Sequence, residues 1–364
     1  MSTAAGGARR LVDRIRWARS QRIALDIRGG STKSFYGELP RGAPLDVRDL
    51  SGIASYEPSE LVVTARAGTP LAELEAALAE KGQCLPFEPP RFAPGGTVGG
   101  MVAAGLSGPA RASVGAVRDY VLGVTVLNGR AELLTFGGQV IKNVAGYDVS
   151  RMMVGSWGVL GVLCEVSLKV TSARGATATL VFDWDERRAL ESLARWRSQP
   201  LPLHASAWHE GRLHLRLSGA LAAVRSACGR LGGVELEPSA AAAWWEGVRD
   251  HAHEFFKLGE AELADGECLW RLSVPATTPL LELPGRQFIE WGGAQRWWRT
   301  RARSNELRGA AARAGGHATL VRAADKSAGA FAPVDSVLMR IHRSLKRAFD
   351  PDRIFNAGRL YADL

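Results

Sequence analysis

The sequence predicts an α+β protein of two domains, and three observations support this. Its 364 residues can form two hydrophobic cores. Glycine-rich segments stop near Thr171–Gly175. Beyond that point the predicted order is strand, helix, two hairpin strands and helix, which is typical of an antiparallel α+β domain. We therefore expect domains at 1–171 and 172–333, followed by a helix and tail at 334–364 that pack back onto the first domain.

The first domain begins with a predicted amphipathic helix, Leu11–Ser20, and a predicted strand, Ile23–Ile27. Apolar alternation and turn signals predict further strands and one helix, which begins near Thr69. In the helix, we expect Thr69 to cap, Pro70 to take the first position, and Leu71, Leu74 and Leu78 to be buried. The remaining predicted strands are Leu45–Val47, Leu61–Ala65, Tyr120–Leu127, Glu132–Phe136 and Val162–Val170.

A glycine pair interrupts the chain directly after the first predicted strand. Such a loop can turn consecutive N–H groups inward as an anion-binding nest, to which hydroxyl and cationic side chains would add donors. A simple tight turn between strands is the alternative. The residues of this loop are Arg28, Gly29, Gly30, Ser31, Thr32 and Lys33.

The stretch Pro94–Gly108 contains six glycines and two alanines. If Thr97 caps a short helix, Gly96, Gly100 and Ala104 recur at a spacing of four and form a face almost without side chains. We expect a large flat ligand to lie on this face, and free N–H groups at the helix N-terminus to suit a diphosphate. A glycine-rich surface loop is the alternative.

The second half carries the predicted α+β pattern and a long amphipathic helix near the C-terminus. We expect Val334–Phe349 to bury one face formed by Val337, Leu338, Ile341, Leu345 and Phe349. The other predicted helices are Asp185–Arg197, Leu221–Leu231 and Ala240–Phe256. The predicted strands are Thr179–Phe182, His204–Trp208, Arg212–Leu217, Leu269–Val274, Phe288–Trp291, Trp297–Trp298 and Thr319–Val321.

Composition argues against several classes of function. The net charge is +9, but only seven of the 46 basic residues are lysines and no basic run is interleaved with aromatics, so nucleic-acid binding is not supported. No G-x-G-x-x-G or P-loop motif occurs. The four cysteines are far apart, which disfavours zinc ribbons and iron–sulfur clusters. Neither a signal peptide nor a membrane span is expected.

Three glycine-rich segments in the first 165 residues together resemble the FAD-binding domain of the vanillyl-alcohol oxidase family, the p-cresol methylhydroxylase type. The segments are Arg28–Lys33, Pro94–Gly123, and Lys142–Asp148 with Gly155–Gly161. The resemblance implies this fold, with an antiparallel α+β cap as second domain, and FAD as cofactor. The implied FAD-binding residues are Arg28, Gly29, Gly30, Ser31, Thr32, Lys33, Pro94, Gly95, Gly96, Thr97, Gly99, Gly100, Ala103, Gly105, Leu106, Ser107, Gly115, Asp119, Gly155, Gly161 and Val162.

Nearly the whole chain is similar to the FAD-binding subunits of bacterial glycolate oxidases, which oxidise glycolate to glyoxylate. The segments that carry this similarity are Phe87–Pro90, Ala103–Pro109, Gly137–Val140, Gly315–Thr319 and Phe349–Arg359. The resemblance implies two partners, a related catalytic flavin subunit and an iron–sulfur subunit. It also implies a cytoplasmic location, with peripheral association of the complex at the inner face of the membrane left open.

The chain departs from catalytic relatives of this family. Their metal and substrate motif is missing after Gly316-His317, so we expect His317 to be structural and no metal to bind. His251 and His253 lie two apart on a predicted helix and should point to different faces. Because neither His nor Cys occurs in Arg28–Gly37 or Pro94–Gly123, we expect non-covalent FAD.

No catalytic residue is assigned from the sequence. Asp148 lies in a matching motif but could equally cap the helix after it, and the basic residues of the second domain form no cluster recognisable from their spacing. We expect an accessory role in FAD binding and electron transfer. The alternatives are a stand-alone flavoenzyme acting on another 2-hydroxy acid or alcohol, with its substrate site in residues 172–333, and a flavin-free structural subunit.

Overall fold

The computed structural model describes residues 3–39, 41–138 and 147–364. Their helices, in chain order, are α1 (Thr3–Gln21), α2 (Leu71–Glu80), α3 (Val98–Ala104), α4 (Arg111–Val114), α5 (Val149–Met152), α6 (Glu186–Arg197), α7 (Leu221–Leu231), α8 (Pro238–Arg249), α9 (Glu260–Ala264), α10 (Ser304–Arg313) and α11 (Ser336–Phe349). None of these helices is long and apolar enough to cross a membrane.

The strands are distributed along the whole chain. Those of the first half are β1 (Leu25–Arg28), β2 (Ala43–Asp46), β3 (Ile53–Glu57), β4 (Val62–Arg66), β5 (Gln83–Cys84), β6 (Val121–Leu127), β7 (Leu133–Gly137), β8 (Val162–Lys169) and β9 (Thr171–Ser172). Those of the second half are β10 (Ala176–Asp183), β11 (Leu203–His209), β12 (Arg212–Gly219), β13 (Val234–Glu235), β14 (Cys268–Ser273), β15 (Arg286–Glu290), β16 (Gln295–Thr300) and β17 (His317–Arg322).

The chain divides into two compact units. The first comprises 1–106, 116–173 and 333–364, and the second comprises 107–115 and 174–332. The short segment 107–115 is therefore grouped with the second half of the chain, although it follows the glycine-rich helix α3 directly.

An antiparallel sheet in the order β3-β4-β8-β6-β7 forms the centre of the first unit, beside a parallel pair of β1 and β2. Leu71, Leu74 and Leu78 of α2 and Met101 of α3 are buried in its core, as their helical spacing predicts. Thr69 does not cap α2, because its hydroxyl bonds the backbone of Gly52 instead.

The second unit is built on an eight-stranded antiparallel sheet in the order β13-β10-β12-β11-β15-β16-β14-β17. Helices α6 and α7 bury Leu193 and Val224 against the β10–β12 end, and α10 buries Leu307 against β14 and β17. The predicted α+β class with antiparallel sheets is confirmed, and the predicted helix 221–231 has the observed bounds.

Two helix predictions need correction. The helix predicted over 240–256 ends at Arg249, and His251 takes a left-handed conformation with φ of 55°. The apolar face of α11 is buried only toward its C-terminal end, where Leu345 and Phe349 pack against the core of the first unit. Val337 and Ile341, at its N-terminal end, are exposed.

Candidate functional site

A cavity of about 520 Å³ lies within the first unit. Four parts of the chain line it: the end of β1 and the loop after it, helix α3, the turn before β8, and the C-terminal tail. This volume is within the range of small-molecule and cofactor sites, roughly 300–1,000 Å³. Three of the four walls come from the glycine-rich segments that the sequence singles out.

The loop after β1 supplies unused backbone donors to the cavity wall. No hydrogen bond from the backbone N–H groups of residues 29–32 to another described residue is present in the structure. Ser31 adopts a positive φ of 54°, which turns successive N–H groups toward a common side. Four consecutive backbone donors beside a cavity, with no partner among the described residues, have the chemistry that suits an anion.

Glycine is required in this loop because the loop packs directly against the segment before α3. A Cβ atom on Gly30 would overlap the carbonyl oxygen of Gly95, and one on Gly29 would overlap the Thr97 hydroxyl. The two glycine-rich segments therefore form one continuous wall by backbone contact, which no residue with a side chain could allow.

Cationic side chains stand at both ends of the same loop. Arg28 Nε lies 2.6 Å from Oδ2 of Asp26, and half of the Arg28 side chain is exposed. Lys33 Nζ lies 3.5 Å from the Thr32 hydroxyl and 5.7 Å from the centre of the Phe92 ring. The loop thus combines backbone donors, hydroxyls and positive charge, which suits a diphosphate.

Thr97 caps α3 as predicted, accepting a hydrogen bond from the N–H of Gly100 at 3.2 Å. The expectation of free N–H groups at this helix N-terminus is wrong. Val98 N–H donates to the Thr69 carbonyl at 3.0 Å, and Gly99 N–H donates to the Ala67 carbonyl at 2.7 Å. The donors available to an anion therefore belong to the loop at 29–32 and not to the first turn of α3.

The small-residue face of α3 is shorter than the spacing predicts, because Gly96 precedes the helix. Gly99, Gly100 and Ala103 line the cavity, and Gly99 approaches Ala67 so closely that a Cβ on it would collide with that residue. The helix thus presents backbone and methyl groups to the cavity.

The turn before β8 forms the third wall through Trp157, Gly158 and Gly161. The Trp157 ring stacks on Tyr36 with centroids 5.1 Å apart and an interplanar angle of 14°. Trp157 has a positive φ of 51°, an uncommon conformation for a bulky residue. Tertiary contacts such as the stacking on Tyr36 therefore stabilise Trp157 in a backbone conformation that a bulky residue seldom adopts.

Asn356 in the tail joins two other walls of the cavity. Its Oδ1 accepts a hydrogen bond from the N–H of Ile27 at 2.7 Å, and its Nδ2 donates to the carbonyl oxygen of Trp157 at 2.6 Å. The space for this amide exists because residue 158 is glycine, since a Cβ there would lie 2.6 Å from Nδ2 of Asn356.

Arg359 connects the tail to the segment that follows the loop at 28–33. Its guanidinium donates to the carbonyl oxygens of Lys33 at 3.1 Å, Ser34 and Glu38, and lies 5.4 Å from the centre of the Trp157 ring. Burial lowers the pKa of Arg359, while the carboxylates of Asp26 and Glu38 oppose that shift. The buried guanidinium of Arg359 therefore fixes the backbone of this segment through hydrogen bonds to its carbonyl oxygens.

The structure brings eleven of the predicted binding residues to the cavity lining. They are Arg28, Gly29, Gly30, Ser31, Thr32, Lys33, Thr97, Gly99, Gly100, Ala103 and Gly161. The sequence prediction of site residues missed Trp157, Gly158, Asn356 and Arg359, which also line it. These four lie in segments that carry the family resemblance, and that was the only available signal for them.

The other predicted binding residues lie outside this lining. Gly105 ends α3 in the left-handed conformation, and a Cβ there would come 2.9 Å from the N–H nitrogen of Gly155. Asp119 Oδ2 accepts a hydrogen bond from the N–H of Ala116 at 2.7 Å, a local turn contact. The remaining members of this set are Pro94, Gly95, Gly96, Leu106, Ser107, Gly115, Gly155 and Val162. Ser107 and Gly115 belong to the second unit.

Residues 139–146, which include most of the predicted segment 142–148, lie outside the described residues. Just after them, Tyr147 is 96% exposed, and Asp148 caps α5 by accepting a hydrogen bond from the N–H of Arg151 at 3.1 Å. The capping alternative for Asp148 is thus the observed one.

Three basic groups of the second unit, Arg271, Arg322 and His251, are close enough to interact electrostatically, although their spacing in the sequence does not reveal it. Arg271 of β14 pairs with Thr319 of β17. Burial lowers the pKa of His251 to about 3, and the charges of Arg322 and Arg271 add to this effect. Two guanidinium groups and an imidazole held neutral therefore lie close together in this unit.

The structure gives no support for a metal centre among the residues it describes. Within those ranges, no three His, Cys, Asp or Glu side chains are grouped so that they could hold a metal ion. His317 begins β17 opposite Ser273. His251 and His253 follow α8 instead of lying on it, and the His253 ring caps the next turn by accepting a hydrogen bond from the N–H of Phe255.

Comparison with known proteins places these features in a family. The family of the FAD binding domain matches residues 4–137. The glycolate oxidase subunit GlcE of Escherichia coli strain K12 is 44% identical over 354 residues, which is 97% of each chain. The glycolate oxidase subunit GlcD of Bacillus subtilis strain 168 is 29% identical over 162 residues, 44% of this chain and 34% of that protein.

Shorter similarity extends to other proteins. A D-2-hydroxyglutarate dehydrogenase of Xanthomonas citri is 31% identical over 161 residues, 43% of this chain and 34% of its own length. A solved structure of alkyldihydroxyacetonephosphate synthase superposes with a TM-score of 0.64 at 14% identity, covering 95% of this chain and 74% of that one. At this identity the superposition shows the fold alone.

Proposed function

Since the chain belongs to the family of the glycolate oxidase subunit GlcE, we propose that it is the FAD-binding subunit of a multi-subunit glycolate oxidase, which oxidises glycolate to glyoxylate. The observation that carries this proposal is the cavity in the first unit, where the predicted glycine-rich segments meet. It lies mainly within the region that matches the FAD binding domain family.

The cavity fits FAD by the chemistry of its walls. The N–H groups of residues 29–32 and the charges of Arg28 and Lys33 would hold the diphosphate. Gly100 and Ala103 leave room for a large flat group against α3, and no His or Cys side chain occurs in the described lining, so we propose non-covalent binding. When bound, FAD supplies the capacity to accept a hydride and pass on electrons.

The chain's own contribution is to bind and orient the cofactor. Asn356 fixes β1 relative to the turn at Trp157, and Arg359 fixes the segment after the loop at 28–33. Both residues position the walls before any ligand enters, which lowers the entropic cost of binding. No side chain of the described lining is assigned as a general base.

We propose two partners, a related catalytic flavin subunit and an iron–sulfur subunit. An accessory role follows from the missing metal and substrate motif after Gly316-His317. An iron–sulfur partner is required because the four cysteines Cys84, Cys164, Cys228 and Cys268 are free and far apart in the sequence, so that this chain offers no cluster site, whereas electrons must leave reduced flavin singly. We further propose a cytoplasmic complex at the inner face of the membrane.

A stand-alone oxidoreductase is the second candidate, and the basic cluster of the second unit favours it. Arg271 and Arg322 could supply fixed cationic partners for the carboxylate of a small 2-hydroxy acid. If this candidate is correct, the isolated chain should oxidise such an acid at an appreciable rate.

The deciding experiment is an assay of glycolate-dependent dye reduction with each subunit omitted in turn. We expect the full complex to be active and this chain alone to be nearly inactive while still binding FAD. A rate for the isolated chain comparable to that of the complex would support the second candidate. A chain that stays colourless with added FAD, alone or with its partners, would contradict both.

A further inference from the structure

The apolar stripe of α11 is buried at one end and exposed at the other. Leu345 and Phe349 pack against the core of the first unit. Val337, Leu338 and Ile341 continue the same stripe but are 53%, 46% and 52% exposed. Val337 and Ile341 border an open groove that also includes Arg340 and Ser344. A folded chain seldom leaves three adjacent aliphatic side chains of one helix in water without a function for them.

The rim of this stripe is basic. Between Ser336 and Phe349 the helix has four Arg or Lys residues and no Asp or Glu. Two of them are neutralised within the chain, since Arg343 pairs with Asp363 and Lys346 with Asp350. Arg340 and Arg347 are exposed, and no ion pair of theirs with another described residue is present. The exposed face therefore has an aliphatic centre beside an uncompensated positive edge.

Three kinds of occupant could cover this stripe: a second copy of this chain, a lipid surface or another protein. Charge and apolar area distinguish among them. A second copy of this chain would present the same helix, which has no Asp or Glu, so it would offer no opposite charge on α11 to Arg340 and Arg347. A lipid surface requires more apolar area than three aliphatic side chains, since even one myristoyl chain gives only marginal binding. The aromatic residue of the stripe, Phe349, packs inward and cannot insert.

We propose that Val337, Leu338 and Ile341, with Arg340 and Arg347 at their edge, form a docking surface for another subunit of the enzyme. The partner would present an apolar patch flanked by acidic side chains. This inference rests on the proposed function, since it requires the chain to work within a multi-subunit oxidase.

The test is co-purification of the related flavin subunit and the iron–sulfur subunit through a tag on this chain. We expect Ile341→Asp to reduce the retained partner by about tenfold or more, because it places a charge at the apolar centre. We expect Arg340→Glu to weaken retention about threefold and to remove much of its dependence on salt. Leu221→Asp is the matched control, since Leu221 is also 52% exposed but lies on α7 of the second unit.

Further measurements on the same variants distinguish the possible outcomes. FAD content and melting temperature of each variant must match the wild type, which shows that only docking has changed. Equal retention by wild type and Ile341→Asp would overturn this inference and leave the proposed function standing. Failure of the wild type to retain either subunit would overturn both. Binding of the isolated chain to phosphatidylserine vesicles, or its dimerisation, that Ile341→Asp abolishes would assign the surface to lipid or to a second copy instead.

Discussion

The ammonium nitrogen of Lys346 lies 2.9 Å from Oδ2 of Asp350, one helical turn away, and both side chains are almost fully buried. Lys346 also donates to the carbonyl oxygens of Val159 and Phe355, at 2.7 Å and 2.8 Å. Asp350 accepts from the N–H groups of Ile354 and Phe355. The pair thus connects the end of α11, the turn before β8 and the tail.

Removing the positive partner of this pair should lower the stability of the fold. We expect Lys346→Met to lower the free energy of unfolding by about 3–5 kcal/mol, because it leaves the Asp350 carboxylate buried without a cation. Chemical denaturation of the two proteins measures this difference. The control is Arg343→Gln, which breaks the exposed pair with Asp363 and should cost less than about 1 kcal/mol. Equal costs for the two variants would contradict the prediction.

Phe355 should act as the buried anchor of the tail. It is fully buried, it forms a parallel bridge with Leu25, and its neighbour Ile354 accepts the N–H of Leu25 through its carbonyl at 2.6 Å. We expect Phe355→Ala to lower the free energy of unfolding by about 3–5 kcal/mol. Val337→Ala, at an exposed site, should change it by less than about 0.5 kcal/mol. A small effect of Phe355→Ala would mean that the tail contributes little to stability.

A large side chain at Gly100 should block FAD binding without unfolding the chain. Gly100 lines the cavity, and a Cβ there meets only the Thr97 hydroxyl, at 3.2 Å. We expect Gly100→Leu to abolish binding in an absorbance titration. Gly96→Ala should have little effect, because its Cβ would make an ordinary 3.6 Å contact with Thr32. Gly229→Leu, on the open face of α7, controls for the cost of leucine in a helix. Normal binding by Gly100→Leu would remove α3 from the site.

The flavin should leave the protein on denaturation. Because the described cavity lining has no His or Cys, acid precipitation of the purified chain is expected to release all yellow colour into the supernatant. Absorbance of the pellet and mass spectrometry of the denatured chain check this. A mass increase equal to FAD on the chain would show a covalent link and refute the prediction.

Stability should fall as the pH is lowered toward 4. Burial, helped by the charge on His253, lowers the pKa of His214 from 6.5 to about 4, and the pKa of His251 falls to about 3. Below pH 6.5 these histidines therefore bind protons in the unfolded chain but not in the folded chain. Their contribution to the free energy of unfolding is fully present above that pH and declines below it. Melting temperatures across this range measure the decline.

One variant isolates the histidine contribution from that of the carboxylates. His214 stacks on Trp244 with ring centroids 3.8 Å apart, so His214→Phe can keep the stacking and remove the titration. The melting temperature of this variant should depend less steeply on pH than that of the wild type. An identical slope would show that His214 does not contribute.

The sequence predicts those features that local patterns encode. The hairpin of β11 and β12 follows from alternation and the turn at Glu210-Gly211, and the cap at Thr97 follows from its position before an apolar run. The end of α8 at Arg249 could not be predicted, because no glycine or proline marks it. There the N–H groups of Ala252 and His253 both turn back to the carbonyl of Gly247.

In the candidate site, too, the sequence predicts the features that depend on local pattern and not those that depend on tertiary contacts. The loop at 28–33 is visible as a strand that ends in paired glycines. The use of the α3 N–H groups by Ala67 and Thr69 is a tertiary contact that the sequence pattern does not contain. The exposed end of α11 is a similar case, since an amphipathic pattern predicts an apolar face but not which partner covers it.

The hydrogen bond between Ile27 and Asn356 spans 329 positions of the chain and sets an order of events during synthesis. The loop, α3 and the Trp157 turn all leave the ribosome before the residue that fixes two of them together. At about 5–20 residues per second, roughly ten seconds or more separate the translation of Trp157 from that of Asn356. The cavity is thus complete only after Asn356 has been synthesised, so we expect flavin loading to follow the packing of the tail against the turn at Trp157.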